Sequence, residues 1–215
     1  MTKCPKCSYE NEKPIFFCSH CGFFLGIDQR LPLEMHRLIF MRADISGFTS
    51  LSEKMMAEEV MGFLNEVYEN FVKTIGKYKG MLYQIIGDEI VVIFGYPRGS
   101  GFAPHMALLA ADDLLKELLS IGKKRDLKET VGLKIGIVQE PAWIYKMKGQ
   151  LKDVFIVTQG FRKSQALQKN AEINTVLVCG NLHASTKSFF VFQEVGEFVH
   201  GSLSIPAYEY IIKGT

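Results

Sequence analysis

Long apolar runs are missing from this 215-residue sequence, and so is a strong charge of either sign. No stretch approaches the ~18 apolar residues of a membrane-spanning helix, and the N-terminus lacks the apolar core of a signal peptide. The net charge of +2 gives no basis for binding bulk nucleic acid. Internal repeats and low-complexity tracts are also absent. These absences predict a folded, cytoplasmic protein with a sizeable core.

Cysteine is scarce outside the first 21 residues, which hold four of the five cysteines. Cys4 and Cys7 form one CxxC pair, and Cys18 and Cys21 form another. Without a secretory signal, two such pairs favour tetrahedral Zn²⁺ over disulfides, and an incidental or redox pair is the alternative. Gly22 permits the turn after the second pair. His20 offers a replacement ligand, but four thiolates already complete the shell, so we expect its side chain to face solvent.

The cysteine spacing predicts a zinc ribbon over residues 1–26, too short to fold without its metal. A linker is expected over 27–36 and a second domain over 37–215. Four phenylalanines are expected to pack the ribbon or dock it on the next domain: Phe16, Phe17, Phe23 and Phe24. The isolated Cys179 is expected to be a small buried hydrophobe.

The centre of the second domain contains two aspartates at the ends of apolar segments. The strand that begins at Ile39 ends on Asp44 and breaks into a Ser-Gly turn, and a tight hairpin over 83–94 turns at Gly87-Asp88. A right-handed strand–helix–strand crossover brings the two aspartates together. The connecting helix, capped by Ser50 or Ser52, has one apolar face: Val60, Phe63, Leu64, Val67, Phe71 and Ile75.

The remaining elements predict an α+β fold, a sheet with covering helices. A helix is expected over 106–119 and a charged, solvated loop over 123–126. The further expected elements are a strand (133–138), a hairpin (143–145 with 154–157, turning at 148–150), a helix (161–170), a strand (175–179), a short helix and two final strands (189–195 and 207–212).

These segments resemble a known family. Phe40, Ala43-Asp44-Ile45-Ser46-Gly47-Phe48-Thr49, Ile86-Gly87-Asp88 and Ile93-Phe94-Gly95 are similar to the motifs of the class III nucleotidyl cyclase catalytic domain, which has a ferredoxin-like core. The resemblance implies that Asp44, Asp88 and the Ile45 carbonyl hold two Mg²⁺ or Mn²⁺ ions. It also implies that Gly47, Phe48 and Thr49 contact the nucleotide. The alternative to a metal site is that Asp44 only caps a helix and Asp88 is only a turn residue.

The family divides its site between two protomers, and the second set of residues departs from the family pattern. Gln84 stands where a base-reading lysine is expected, and Phe155 stands where a base-reading aspartate is expected, unless a gap brings Asp153 there. Arg162 replaces the ribose-contacting asparagine, and Ala166 replaces the arginine that clamps the transferring phosphate. Arg162 is a candidate replacement clamp and Lys163 a candidate phosphate contact. Solvated helix charges are the alternative for both.

The resemblance therefore implies the metal-bearing half of a cyclase, similar to the first catalytic domain of the soluble adenylyl cyclase group. Such a half converts ATP or GTP into a 3′,5′-cyclic nucleotide and pyrophosphate within a homodimer or with a complementary domain. The alternative is a catalytically incomplete domain that binds nucleotide or a protein partner. A nucleic-acid-binding ribbon has little positive charge to support it.

Overall fold

The computed structural model describes residues 2–12, 17–23, 25, 33–97, 99, 101–127, 131–146, 154–201 and 203–212. The chain separates into two compact units, one of residues 1–35 and 143–157, the other of residues 36–142 and 158–215. The predictions for Phe16, Phe24, Asp153 and the turn at 148–150 fall outside the described residues, as does most of the predicted linker.

The smaller unit contains two short antiparallel pairings. Strand β1 (Thr2–Lys3) pairs with β2 (Glu10–Asn11). The final residues of β6 (Gly132–Lys146) pair with β7 (Val154–Val157), with Trp143 opposite Val157. The predicted hairpin between these two segments is therefore confirmed.

The larger unit contains most of a mixed sheet and its helices. The bounds are β3 (Leu33–Ser46), α1 (Phe48–Ser52), α2 (Ala57–Lys77), β4 (Gly80–Ile86), β5 (Glu89–Phe94), α3 (Ala103–Lys124), α4 (Gly160–Asn170), β8 (Thr175–Cys179), α5 (Gly180–Thr186), β9 (Val191–His200) and β10 (Leu203–Ile211). The strand order is β4-β5-β3-β6-β8-β10-β9. The β6–β8 pair is parallel, whereas β3–β5, β4–β5, β8–β10 and β9–β10 are antiparallel. The predicted order of elements is confirmed apart from two differences: the strands expected over 133–138 and 143–145 form the single strand β6, and the short helix α1 precedes α2.

Helix α2 follows the predicted apolar pattern but not the predicted cap. Phe63, Val67 and Phe71 are fully buried along one face. The helix begins after Met56, whose backbone N–H donates to the Glu59 carboxylate at 3.1 Å. The serine caps were wrong, because the residues before Glu53 form the separate short helix α1.

Two other boundaries differ from prediction. Helix α3 continues through Lys123 and Lys124, so the predicted loop is helical in its first half. Arg125 is not simply solvated, since its Nε donates to Glu66 Oε2 at 2.7 Å. Strand β3 begins at Leu33, inside the predicted linker. Strand pairing and ion pairs with distant residues extend these elements beyond the segments that their apolar pattern predicts. Local sequence does not encode such long-range contacts.

The core lies between the central strands and the helices. Ile39, Phe40, Val92 and Ile93 are buried where β3 and β5 pair. The fully buried run from Ile135 to Val138 fits a central strand with a parallel neighbour. Cys179 is buried, as predicted. In the described part of the chain, no helix is long and apolar enough to cross a bilayer.

Candidate functional site

The two predicted aspartates lie at the same end of the β3–β5 pair. Asp44 is opposite Glu89, the residue directly after Asp88. The Ile45 backbone N–H donates to the Asp88 carbonyl at 3.3 Å. Gly87 adopts φ +62° in the hairpin turn, a conformation that glycine adopts without strain. The structure therefore brings the two aspartate-bearing segments together.

The electrostatics of this end are unfavourable for negative charge. Burial raises the pKa of Asp44, and repulsion by Asp88 and Glu89 adds to the effect, so that the pKa reaches about 6 despite the opposing charge of Lys134. Among the described residues, neither Asp44 nor Asp88 forms an ion pair. Two carboxylates that repel each other and form no direct ion pair are a donor set that a divalent ion stabilises.

A third carboxylate at this end is already paired. Arg42 Nη1 donates to Glu89 Oε1, and both side chains are largely buried. Arg42 precedes Asp44 by two residues, so the two side chains point to the same face of the sheet. This pair is not among the contacts predicted from the sequence. A charged residue inside the apolar strand β3 was the signal that a partner had to exist.

Tyr68 of helix α2 is a second residue that the sequence analysis missed. Its hydroxyl donates to the carbonyl oxygen of Gly87, in the turn that presents Asp88. Burial raises the pKa of Tyr68 to about 12, with further contributions from Asp88 and Asp44. The phenol therefore lies within electrostatic reach of both aspartates. No local pattern in the helix predicts this contact, because it depends on how the helix packs against the hairpin.

The residues present fit a magnesium or manganese site. Carboxylate and carbonyl oxygens are the ligands these hard cations prefer, and such ions usually take only one or two protein carboxylates. Asp44 and Asp88 supply the carboxylates, and Ile45, whose carbonyl is the third predicted ligand, is the next-to-last residue of β3. The raised pKa of Asp44 is the electrostatic observation in favour of a cation there.

The predicted nucleotide-contacting residues lie on two elements near this end. Gly47, at φ +83°, precedes α1, and Phe48 and Thr49 are the first residues of that helix. Gln84 lies on β4 with an exposed side chain, next to a β-bulge at Tyr83. Their roles toward a nucleotide remain predictions.

The two candidate clamp residues differ in their surroundings. Arg162 is exposed, and its guanidinium lies beside Gly201 in the β9–β10 turn; it forms no ion pair with the described aspartates. Lys163 is not solvated, since its Nζ donates to the buried Glu140 at 2.6 Å. Ala166 is only 2% exposed, so its position is part of the packed interior.

Phe155, which stands where the resemblance leads us to expect a base-reading aspartate, lies on β7 in the smaller unit. Its side chain is 60% exposed. A phenyl ring offers no hydrogen-bonding group to a base edge.

The four N-terminal cysteines form a compact cluster. Their sulfur atoms all lie within 4.8 Å of one another, and the Cys4–Cys21 and Cys7–Cys18 sulfurs are both 3.6 Å apart. In a tetrahedron with Zn–S bonds of about 2.3 Å, adjacent sulfurs are about 3.8 Å apart. The cluster therefore has dimensions suited to a tetrahedral metal ion.

The two CxxC turns have the same backbone geometry. Ser8 N–H donates to the Cys4 carbonyl and Gly22 N–H to the Cys18 carbonyl, both at 2.9 Å, and both donors have positive φ. The predicted role of Gly22 in the turn is confirmed. Burial raises the pKa of the Cys18 thiol, but the Cys21 and His20 backbone and neighbouring thiols outweigh it and lower the pKa to about 6.

The loops of the cluster are tied together by a buried amide. Asn11 accepts hydrogen bonds from the Ser19 backbone N–H at 3.0 Å and from its hydroxyl at 2.8 Å. His20 is exposed, as expected, and stacks on Tyr9 at 5.3 Å between ring centroids. These contacts hold the second CxxC turn against the β1–β2 hairpin.

A cavity of about 540 Å³ lies away from the carboxylates, at the opposite end of the β4–β5 hairpin. Its wall includes Phe94, the last residue of β5, whereas Asp88 precedes the first residue of that strand. The chemistry of the carboxylate end, rather than the volume of this cavity, therefore identifies the candidate site.

Known proteins share this fold. The sequence profile of the "Adenylate and Guanylate cyclase catalytic domain" matches residues 34–198. The receptor-type guanylate cyclase gcy-13 of Caenorhabditis elegans is 34% identical over 97 residues, which are 44% of this chain and 9% of that protein. The chain thus matches less than a tenth of this relative's length.

Two solved structures share the fold. The adenylyl cyclase CyaB from P. aeruginosa superposes with a TM-score of 0.78 at 20% identity, covering 86% of this chain and 98% of that one. The guanylate cyclase domain of RhGC from Catenaria anguillulae, in complex with GTP, gives a TM-score of 0.72 at 15% identity, covering 83% and 98%.

The mixed sheet, its helices and the paired aspartate segments define an α+β domain of the nucleotidyl cyclase class. Because the profile spans most of the sequence, the chain belongs to the adenylate and guanylate cyclase catalytic domain family.

Proposed function

We propose that this chain is the metal-bearing half of a class III nucleotidyl cyclase, which converts ATP or GTP into a 3′,5′-cyclic nucleotide and pyrophosphate. One observation carries the proposal: Asp44 and Asp88 converge at one strand end, where burial and mutual repulsion raise the pKa of Asp44 to about 6. Relatives named as adenylyl and guanylyl cyclases leave the choice of base open.

In this proposal the chain's own residues bind and orient the reactants. Asp44, Asp88 and the Ile45 carbonyl hold Mg²⁺ or Mn²⁺, which supplies charge neutralisation of the triphosphate and activation of the ribose 3′-hydroxyl. The Arg42–Glu89 pair keeps Glu89 out of the ligand set. Gly47 to Thr49 contact the phosphates, and Gln84 hydrogen-bonds the base edge.

Activity in this proposal requires a complementary domain, from a second copy or another chain. The position that resembles the transition-state arginine is the buried Ala166, and Arg162 lies beside the β9–β10 turn. Strand β4, an edge strand, exposes Tyr83, Ile85 and Ile86 by 40–46% beside the carboxylate end. An exposed apolar edge next to an incomplete site supports a protein partner there.

The test is formation of cyclic AMP and cyclic GMP by the full chain with Mn²⁺ and each triphosphate, alone and with a candidate partner domain. Asp44→Asn should abolish product, since it removes a metal ligand. Asp126→Asn is the matched control, because Asp126 is an exposed residue at φ +49°, which asparagine tolerates. Product that persists in Asp44→Asn would refute the assignment.

A second function is favoured by the buried Ala166: a catalytically incomplete domain that binds nucleotide or a protein partner as a regulatory module. It predicts metal-dependent nucleotide binding without product, whatever partner is added. Calorimetric titration of ATP and GTP with and without Mn²⁺ separates this from the enzyme. Absence of binding in both conditions would reduce the domain to a protein-interaction module.

We further propose that Cys4, Cys7, Cys18 and Cys21 hold a structural Zn²⁺. The 3.6 Å sulfur separations support it, because they are close to the spacing of thiolates around a tetrahedral zinc ion. Metal analysis of the purified chain should find about one Zn²⁺ per chain. Cys18→Ser should lose it, whereas Cys179→Ala, which alters a cysteine outside the cluster, should keep it.

A further inference from the structure

A side chain of helix α2, Tyr68, contacts the aspartate-bearing turn. Its neighbours on the helix face, Phe63, Val67 and Phe71, are buried in the core, but the Tyr68 ring is only partly buried. Its hydroxyl extends to the Gly87 carbonyl, 19 residues further along the chain. A phenylalanine would satisfy the packing of this position equally well, so the hydroxyl calls for a separate explanation.

The turn is closed on the sheet side by the pairing of Ile86 with Glu89 and of Glu89 with Asp44. Gly87 has no atom within 4 Å of the place where a Cβ would lie, and its φ of +62° requires no neighbouring support. On the other side of the turn, Ile45 N–H donates to the Asp88 carbonyl at a long 3.3 Å. The hydrogen bond from the Tyr68 hydroxyl therefore connects the Gly87 peptide to helix α2.

We infer that Tyr68 is a positioning residue: its hydroxyl holds the Gly87 carbonyl so that Asp88 faces Asp44 across the strand end. This inference rests on the proposed metal site, because its measured consequence is the affinity of that site. Two carboxylates that repel each other stay close together without metal only if the backbone around them is held in place. The hydrogen bond from Tyr68 to Gly87 holds the turn in this way. A catalytic role is not implied, since the hydroxyl acts on the turn and not on a reacting atom.

The experiment compares two tyrosine-to-phenylalanine variants of the full chain. Tyr68→Phe removes the hydroxyl that binds Gly87. Tyr78→Phe is the matched control at the C-terminal end of the same helix, where the hydroxyl donates to Asp113 Oδ2 at 2.7 Å. Both changes delete one tyrosine hydroxyl and keep the ring, so a general loss of stability should affect both.

Mn²⁺ binding is measured by electron paramagnetic resonance of the free ion. Tyr68→Phe should weaken Mn²⁺ binding about five- to tenfold, the loss expected for one hydrogen bond that orients a ligand. Tyr78→Phe should bind as the unaltered chain does. Equal affinity of Tyr68→Phe and the unaltered chain would overturn the inference.

Hydrogen exchange without metal gives the second readout and separates two kinds of failure. Amides of the turn from Gly87 to Glu89 should exchange faster in Tyr68→Phe and at the normal rate in Tyr78→Phe. If the unaltered chain binds no Mn²⁺, the proposed function fails, and the exchange rates alone then decide whether Tyr68 holds the turn. Unchanged exchange in Tyr68→Phe would contradict the inference in either case.

Discussion

The surroundings of individual side chains shift their pKa values in directions that the sequence does not show. Glu117 of α3 accepts a hydrogen bond from Thr74, while its Oε2 is buried without a hydrogen-bond partner among the described residues. Burial raises the pKa of Glu117; the Thr74 bond opposes this, and repulsion by Asp113 adds to it. Glu66 shows the reverse, since its bonds to Lys124 and Arg125 lower its pKa.

The opposite shifts predict opposite pH dependences of stability. Because the folded state binds the Glu117 proton more tightly than the unfolded state, the free energy of unfolding falls as pH rises above 4.5. Glu117→Gln should therefore be more stable than the unaltered chain at pH 8, and the gain should disappear near pH 4. Urea denaturation of metal-free protein at both pH values measures this.

Glu66→Gln is the control for this prediction, because the pKa of Glu66 is shifted in the opposite direction. Its lowered pKa means that the carboxylate stabilises the fold above the unfolded pKa, and that this contribution is lost as pH falls. Glu66→Gln should be less stable than the unaltered chain at pH 8. A stability gain at pH 8 for both variants would show that charge removal in general, rather than burial at Glu117, is the cause.

At the scale of elements, close backbone approach fixes how α4 packs on β6. A Cβ on Gly136 of β6 would lie 2.3 Å from the Ser164 carbonyl and 2.4 Å from the Gln168 nitrogen, both backbone atoms of α4. Neither can move without shifting the helix. The strand and the helix were each predicted from apolar pattern, but their separation depends on this glycine.

Gly136→Ala should destabilise the protein by about 3 kcal/mol, because the obstruction is backbone rather than a movable side chain. Gly62→Ala is the matched control, since Gly62 lies in α2 with nothing within 4 Å of a Cβ. It should stabilise the chain by about 0.5–1 kcal/mol through helix propensity. Chemical denaturation of both variants provides the comparison, and a loss below 1 kcal/mol for Gly136→Ala would contradict the packing argument.

At the scale of the whole molecule, the chain combines two units with different sources of stability. The cysteine cluster has strands of only two residues, and its buried described side chains are Cys4, Asn11 and Cys18. So small a core does not offset the entropy of ordering the segment without a metal. The larger unit instead buries whole faces of α2, α3 and the central strands.

In the proposed zinc-bound state, metal removal should act on the cysteine cluster only. With a strong chelator, amides of residues 2–12 and 17–23 should lose protection from hydrogen exchange, while those of β5 and α3 keep it. Mass-spectrometric exchange on the full chain, repeated after Zn²⁺ is restored, tests this and its reversibility. Equal loss of protection in β5 would show that the two regions unfold together.

The sequence by itself determined the family, most of the order of elements, the two converging aspartate segments and the four-cysteine cluster. Each of these depends on local signals: alternating or helical apolar periodicity, turn glycines and CxxC spacing. The tertiary structure alone decided the bond from Tyr68 to Gly87, the Arg42–Glu89 and Lys163–Glu140 pairs and the extra length of β3 and α3. These features join residues far apart in the chain, so their geometry exists only after the helices have packed on the sheet.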